Sequence, residues 1–140
     1  MIDTTFLRLC IATLEHAVQE IQHFDSKDDP LNQIYRAACV KEFEIILEQS
    51  GKLLRKRLRR YLSSNKAADR LHFKDLFRHA NRHDLMDAVA TERWMDYRDH
   101  RNFTVHDYGE DFAEATLELL PTFIIDAKAL AEIIETASYE

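Results

Sequence analysis

Residues 31–62 read LNQIYRAACVKEFEIILEQSGKLLRKRLRRYL. Tyr35, Ala38, Cys39, Phe43, Ile46, Leu47, Leu54, Leu58 and Tyr61 recur there at three- and four-residue steps, the period that lines one face of an α-helix. Lys52, Arg55, Lys56 and Arg59 follow the same spacing on another face. Gly51 weakens such a helix by roughly 1 kcal/mol relative to alanine but need not end it. The whole chain of 140 residues holds two glycines and two prolines. All-β proteins need many turns and carry more of both, so the chain reads as long helices with few connections.

Outward from this segment the same period returns. Over residues 3–24, Phe6, Leu9, Cys10, Thr13, Leu14, Ala17, Ile21 and Phe24 form one apolar stripe. DSKDDP, residues 25–30, breaks it, and Pro30 suits the first turn of the next helix. SSNKAAD, residues 63–69, reads as a connection, and residues 73–81 as a short helix. A further helix starts near Asp84, taken as its N-cap, and runs towards His106. The last covers residues 111–137, with Phe112, Thr116, Leu119, Phe123, Ala127, Leu130 and Ile134 facing inwards. Pro121 lies inside it and predicts a kink, because proline removes one helical hydrogen bond. The expected fold is all-α: an antiparallel up-down four-helix bundle with a short additional helix, as one domain over residues 1–140.

Composition narrows the class. With 46% hydrophobic and 31% charged residues the chain is an ordinary globular protein, not a disordered one. No apolar run is long enough for a membrane span, and the N-terminus lacks the basic start and apolar core of a signal peptide. Cys10 and Cys39 fall at apolar helical positions and read as reduced, buried thiols of a cytoplasmic protein. The net charge of −6 counts against a general nucleic-acid binder. Yet residues 52–60 carry six basic residues and no acid, while residues 110–140 carry eight acids and one lysine. Such asymmetry permits a local anion-binding surface on an acidic protein.

The densest polar chemistry lies in YRDHRNFTVHDYGED, residues 97–111. Val89, Ala90, Trp94, Tyr97, Arg101 and Val105 share one helical stripe, so Arg101 continues a face that begins apolar. A guanidinium there needs a carboxylate, a phosphate or a second chain. Arg98, Asn102 and His106 form the neighbouring row at four-residue spacing, and Gly109 is a natural terminator. On an ideal helix Arg101 and His106 stand about 140° apart. They converge only if the helix loosens, or if two copies meet along this face. Geometry alone leaves two readings open: a polar helix end with a capping histidine, or half of a site.

RNFTVHDY, residues 101–108, resembles the R-N-x-x-x-H-x-Y signature of HEPN-domain proteins of the HepT type, also described as nucleotidyltransferase substrate-binding proteins. FEIILEQSGKLLRKRL (43–58) is similar to that family's long second helix, ERWMDYRDHRN (92–102) to its approach to the motif, and EDFAEATLELLPTFIIDAKALAEII (110–134) to its acidic closing helix. The resemblance implies a bundle that dimerises with the motif at the dimer cleft. It implies a metal-independent endoribonuclease without cofactor, often a toxin of a toxin–antitoxin pair, with RNA as substrate and a cognate minimal nucleotidyltransferase as antitoxin. Arg101 and His106 would then be the catalytic pair, with Asn102 orienting them, and Tyr108 the tyrosine that the partner adenylylates. The alternative is a non-catalytic substrate-binding subunit of a two-component nucleotidyltransferase.

The chemistry agrees with the resemblance. Metal-free RNA cleavage needs a base, an acid and positive charge on the phosphate, roles open to histidine and arginine. Lys52, Arg55, Lys56, Arg59 and Arg98 are candidates for RNA or partner binding, or else a solvated helix face. His79 and His83 stand four apart, a chelating spacing, but no third ligand is evident, so no metal is expected. His72 and His100 read as surface residues. Trp94 and Tyr97 read as anchors of the core or of a dimer interface. No Gly-rich phosphate loop and no nucleophile elbow occurs.

Overall fold

The long apolar run folds as α2, Pro30–Leu58, extended by a 3-10 turn over Arg59–Tyr61, in a computed structural model that describes residues 2–103 and 110–136. Its start is set by Pro30 in the first turn and by Asp29, whose side chain accepts from the Leu31 amide at 2.8 Å. Among the described residues five more α-helices occur: α1 Thr5–Ile21, α3 Asn65–Asp69, α4 Phe73–Arg82, α5 Ala88–Phe103 and α6 Glu110–Glu135. The fold is all-α, as the scarcity of turn residues implies.

Paired side chains fix the directions. Arg8 meets Glu135 at 2.7 Å and Lys128 meets Glu15 at 2.7 Å, so α1 and α6 run antiparallel. Arg36 bonds Glu114, and Arg57 donates to the Ile133 carbonyl, so α2 runs parallel to α6. Arg93 grips Asp126 while His100 reaches Thr116, so α5 is antiparallel to α6. The four long helices therefore alternate up and down, with α3 and α4 inserted between α2 and α5. α4 lies antiparallel on α5, with Lys74 on Asp99 at 2.6 Å and Phe77 stacked on Trp94.

One apolar cluster joins these helices, with Phe43, Phe77, Trp94, Tyr97 and Phe123 at its centre. Phe123 stands edge-on to Phe43 at 4.8 Å and to Tyr97 at 4.9 Å, the T-shaped geometry that aromatic quadrupoles favour. Tyr97 keeps its hydroxyl satisfied by donating to the buried Asp126, which Arg93 also holds through two bonds of 2.8 Å. Cys10 and Cys39 are buried and unbonded to each other, as expected.

Four expectations change. On α1 the buried stripe is Leu7, Cys10, Ile11, Leu14 and Ala17, while Phe6 and Leu9 are 52% and 61% exposed. The helix is rotated so that Leu7 and Ile11, not Phe6 and Leu9, face α2 and α6. Val89 likewise stands 64% exposed at the start of α5. The connection at residues 63–69 contains α3, capped by Ser64, whose hydroxyl accepts from the Ala67 amide at 3.0 Å. Asp84 is not an N-cap. It takes φ 59° at the turn after α4, and Asp87 caps α5 by accepting from the Ala90 amide at 2.7 Å. Pro121 lies inside α6, where the sequence places it, and is exposed.

Candidate functional site

Arg98, Arg101 and Asn102 occupy the last two turns of α5. Arg101 is half-buried, on the stripe that begins with the buried Trp94 and Tyr97, and Asn102 is exposed beside it. Arg98 is half-buried, its guanidinium carbon 5.0 Å from the centre of the Phe73 ring. His106 and Tyr108 lie outside the described residues, as does Gly109. The structure thus brings Arg101 and Asn102 together in the last turn of α5.

The basic stripe of α2 divides. Lys52 is exposed and lines a cleft of about 470 Å³ between α2, α4 and α5. Arg55 turns inwards and donates to the carbonyl oxygens of Ala68 and Leu71, the latter at 2.9 Å, so it fastens α3 and its exit to α2. Arg59 stands 3.8 Å from Asp69, and Lys56 is exposed on the side of Asp3. Arg57, on the opposite face of the same run, is buried and lies beside the Tyr61 ring. A face that looks uniformly basic in sequence is therefore partly structural.

The floor of the cleft depends on Gly51. A Cβ there would sit 2.9 Å from Cδ2 and 3.1 Å from Cε2 of Phe73, so only glycine lets the first turn of α4 lie this close to α2. Phe73 in turn carries Arg98. A second cleft of about 340 Å³ continues past His72, Lys74, Asp75 and Arg78 to Arg98 and Asn102. Lys74 and Arg78, four apart on α4, were not singled out from sequence, although that spacing already put them on one face. Asp75 accepts from the His72 amide at 3.1 Å and from Arg78 at 3.1 Å, and the amide bond first, then Arg78, holds its carboxyl below the usual value.

Two histidine readings are settled by packing. His72 is exposed, as expected. His100 is half-buried, correcting its assignment to the surface: it packs edge-on to Phe43 at 5.8 Å and against Phe112 at 4.9 Å, with Nε2 2.8 Å from the Thr116 hydroxyl. Burial pushes its pKa down. His79 and His83 stack on one another, and His83 stacks on Tyr61 at 4.2 Å. Among the described residues no group of three His, Cys, Asp or Glu is arranged to hold a metal ion.

A family model described as nucleotidyltransferase substrate binding protein like matches residues 4–136. A Haemophilus influenzae protein named probable ribonuclease HepT is 28% identical over 123 residues, covering 86% of this chain and 83% of its own length. A solved structure from Haemophilus influenzae, described as revealing the fold of a substrate binding domain of a nucleotidyltransferase, superposes with a TM-score of 0.83 at 26% identity, over 95% of this chain and 99% of that one. A crystal structure from Thermus thermophilus shares the fold, with a TM-score of 0.72 at 22% identity over 91% and 98% of the two chains.

Proposed function

The chain belongs to the nucleotidyltransferase substrate binding protein like family, and from that premise we propose that it is a metal-independent endoribonuclease toxin, active as a homodimer and neutralised by a cognate minimal nucleotidyltransferase. The observation that carries the reading is the complete set Arg101, Asn102, His106 and Tyr108 in the order R-N-x-x-x-H-x-Y, a set that a pure docking module has no chemical need to keep. In support, Arg101 sits half-buried at a helix end, where its guanidinium can reach a phosphate without being fully solvated.

The proposed reaction needs nothing beyond these groups. A base takes the proton of the ribose 2′-hydroxyl. The 2′-oxygen bonds to phosphorus, the bond from phosphorus to the 5′-oxygen breaks, and an acid protonates that leaving oxygen. Histidine can serve either proton transfer near neutrality, so two copies of His106 across a dimer would supply both. Arg101 balances the charge that builds on the phosphate. Adenylylation of Tyr108 would place a bulky anion two residues from His106 and oppose phosphate binding.

Expression without the partner gene is expected to arrest growth and fragment RNA, and Arg101→Ala or His106→Ala should abolish both. A harmless wild type that leaves RNA intact yet binds the nucleotidyltransferase tightly would instead support the second reading, a non-catalytic substrate-binding subunit. The description of the Haemophilus structure favours that alternative. For the switch, intact mass after incubation with partner and ATP should rise by adenylate units, and persistence of the rise in Tyr108→Phe would remove Tyr108 as sole acceptor.

A further inference from the structure

The two clefts beside the helix end share His72, Phe73 and Arg98, and so form one groove from the middle of α2 across the start of α4 to Asn102. Its lining holds five lysines and arginines against three acids, on a chain whose net charge is −6. The cations come from three separate helices: Lys52 from α2, Lys74 and Arg78 from α4, Arg98 from α5. We propose that this groove is the track for the phosphate backbone of a single RNA strand and that it leads the strand onto Arg101 and Asn102 without reading its bases.

Arg98 carries the first part of the argument. It is positioned by the Phe73 face at 5.0 Å, whereas its acid neighbour Glu48 is 4.0 Å away and 70% exposed. An incoming phosphate can displace so loose a pair at little cost, since exposed ion pairs contribute about 0–1 kcal/mol. Lys52 is exposed on the opposite lip. The second part is the state of Phe73, the one ring besides the small, exposed His72 imidazole among the described lining residues. Phe73 has its edge against Gly51, a face under Arg98 and a tilted contact with Phe77 at 4.8 Å. It leaves no open platform for a base, and base stacking is what single-strand binders use to hold bases. What remains has two more cations than acids; Lys74 on Asp99 and Arg78 on Asp75 stand in solvent-exposed pairs that, like Arg98 and Glu48, a phosphate can displace at little cost. The neutral Asn102 at the end of the groove marks where it passes into the candidate catalytic residues.

This proposal rests on the ribonuclease reading for its occupant, and its test separates the two. A fluorescein-labelled RNA oligonucleotide is titrated by anisotropy over a range of salt concentrations, with His106→Ala protein to prevent cleavage. Combining Lys52→Gln, Lys74→Gln and Arg78→Gln should weaken binding about tenfold or more at low salt. The slope of log affinity against log salt should flatten by about 0.7 for each phosphate the variant no longer neutralises. Lys52→Arg should retain affinity, and thermal melting of each variant checks that the bundle is folded. Oligouridylate and a mixed sequence of equal length should bind within about threefold of one another.

Unchanged affinity and slope in the folded triple variant would overturn the track, even if wild type cleaves RNA. Loss of nucleotidyltransferase binding with RNA binding intact would overturn it in favour of a protein-docking groove. A strong preference between the two RNAs would overturn backbone recognition. Groove-dependent binding by a wild type that does not cleave would uphold the track and remove the ribonuclease reading.

Discussion

His100 joins the end of α5 to the start of α6. The Thr116 hydroxyl donates to the Phe112 carbonyl at 2.9 Å, so it accepts from His100, which fixes the proton on Nε2 and leaves Nδ1 bare. Burial lowers the pKa from its ordinary value of 6.5, so the folded state binds the second proton less readily than the unfolded chain. The stability this provides is present above the unfolded pKa and is lost as pH falls from about 6.5 towards the folded value. His100→Gln can keep the donor to Thr116 but cannot titrate, so its urea midpoint should fall less than that of wild type on acidification. Equal pH slopes in the two proteins would sink this account. The sequence could not reveal this residue, since its surroundings come from Phe43 and Thr116, far away along the chain. Arg55 and Arg57 teach the same lesson. Periodicity marks them as basic, but only tertiary contacts decide that one bonds carbonyls of the next segment and the other is sealed in the core.

Helices as units were far more legible, because amphipathic period is a local property. α2, α4 and α6 fall close to their expected bounds, and Trp94 and Tyr97 are buried as their stripe requires. Ends were less legible, since Asp84 and Asp87 are both competent caps and only backbone geometry chooses between them. Asp84 at φ 59° follows α4, and Asp87 holds the Ala90 amide. Asp87→Ala should therefore cost about 1 kcal/mol, whereas Asp84→Gly should cost none because glycine accepts that φ freely. Chemical denaturation measures both, and a larger loss at position 84 would reverse the assignment. The rotation of α1 was hidden for a different reason: Phe6, Leu7, Leu9, Cys10 and Ile11 offer two overlapping apolar stripes, and the bundle selects one.

For the molecule as a whole, up-down connectivity sets the polar end of α5 at one edge of the core, with the basic groove alongside it. A dimer built around that edge would make a composite site, which complementation can detect. Arg101→Ala and His106→Ala chains, each inactive alone, should recover part of the ribonuclease activity when unfolded together and refolded as a mixture. No recovery from mixed dimers verified by mass would mean that each site lies within one chain. The antiparallel packing of α1 against α2 has a practical corollary. It seals Cys10 and Cys39, and burial, first in each case, pushes both thiols up to about 11. At neutral pH almost no thiolate is present and none is accessible, so the native fold carries its own chemical blank. A cysteine introduced at Lys52 or Asn102 would take up a maleimide dye against a silent background, turning the groove into a reporter of its own occupancy.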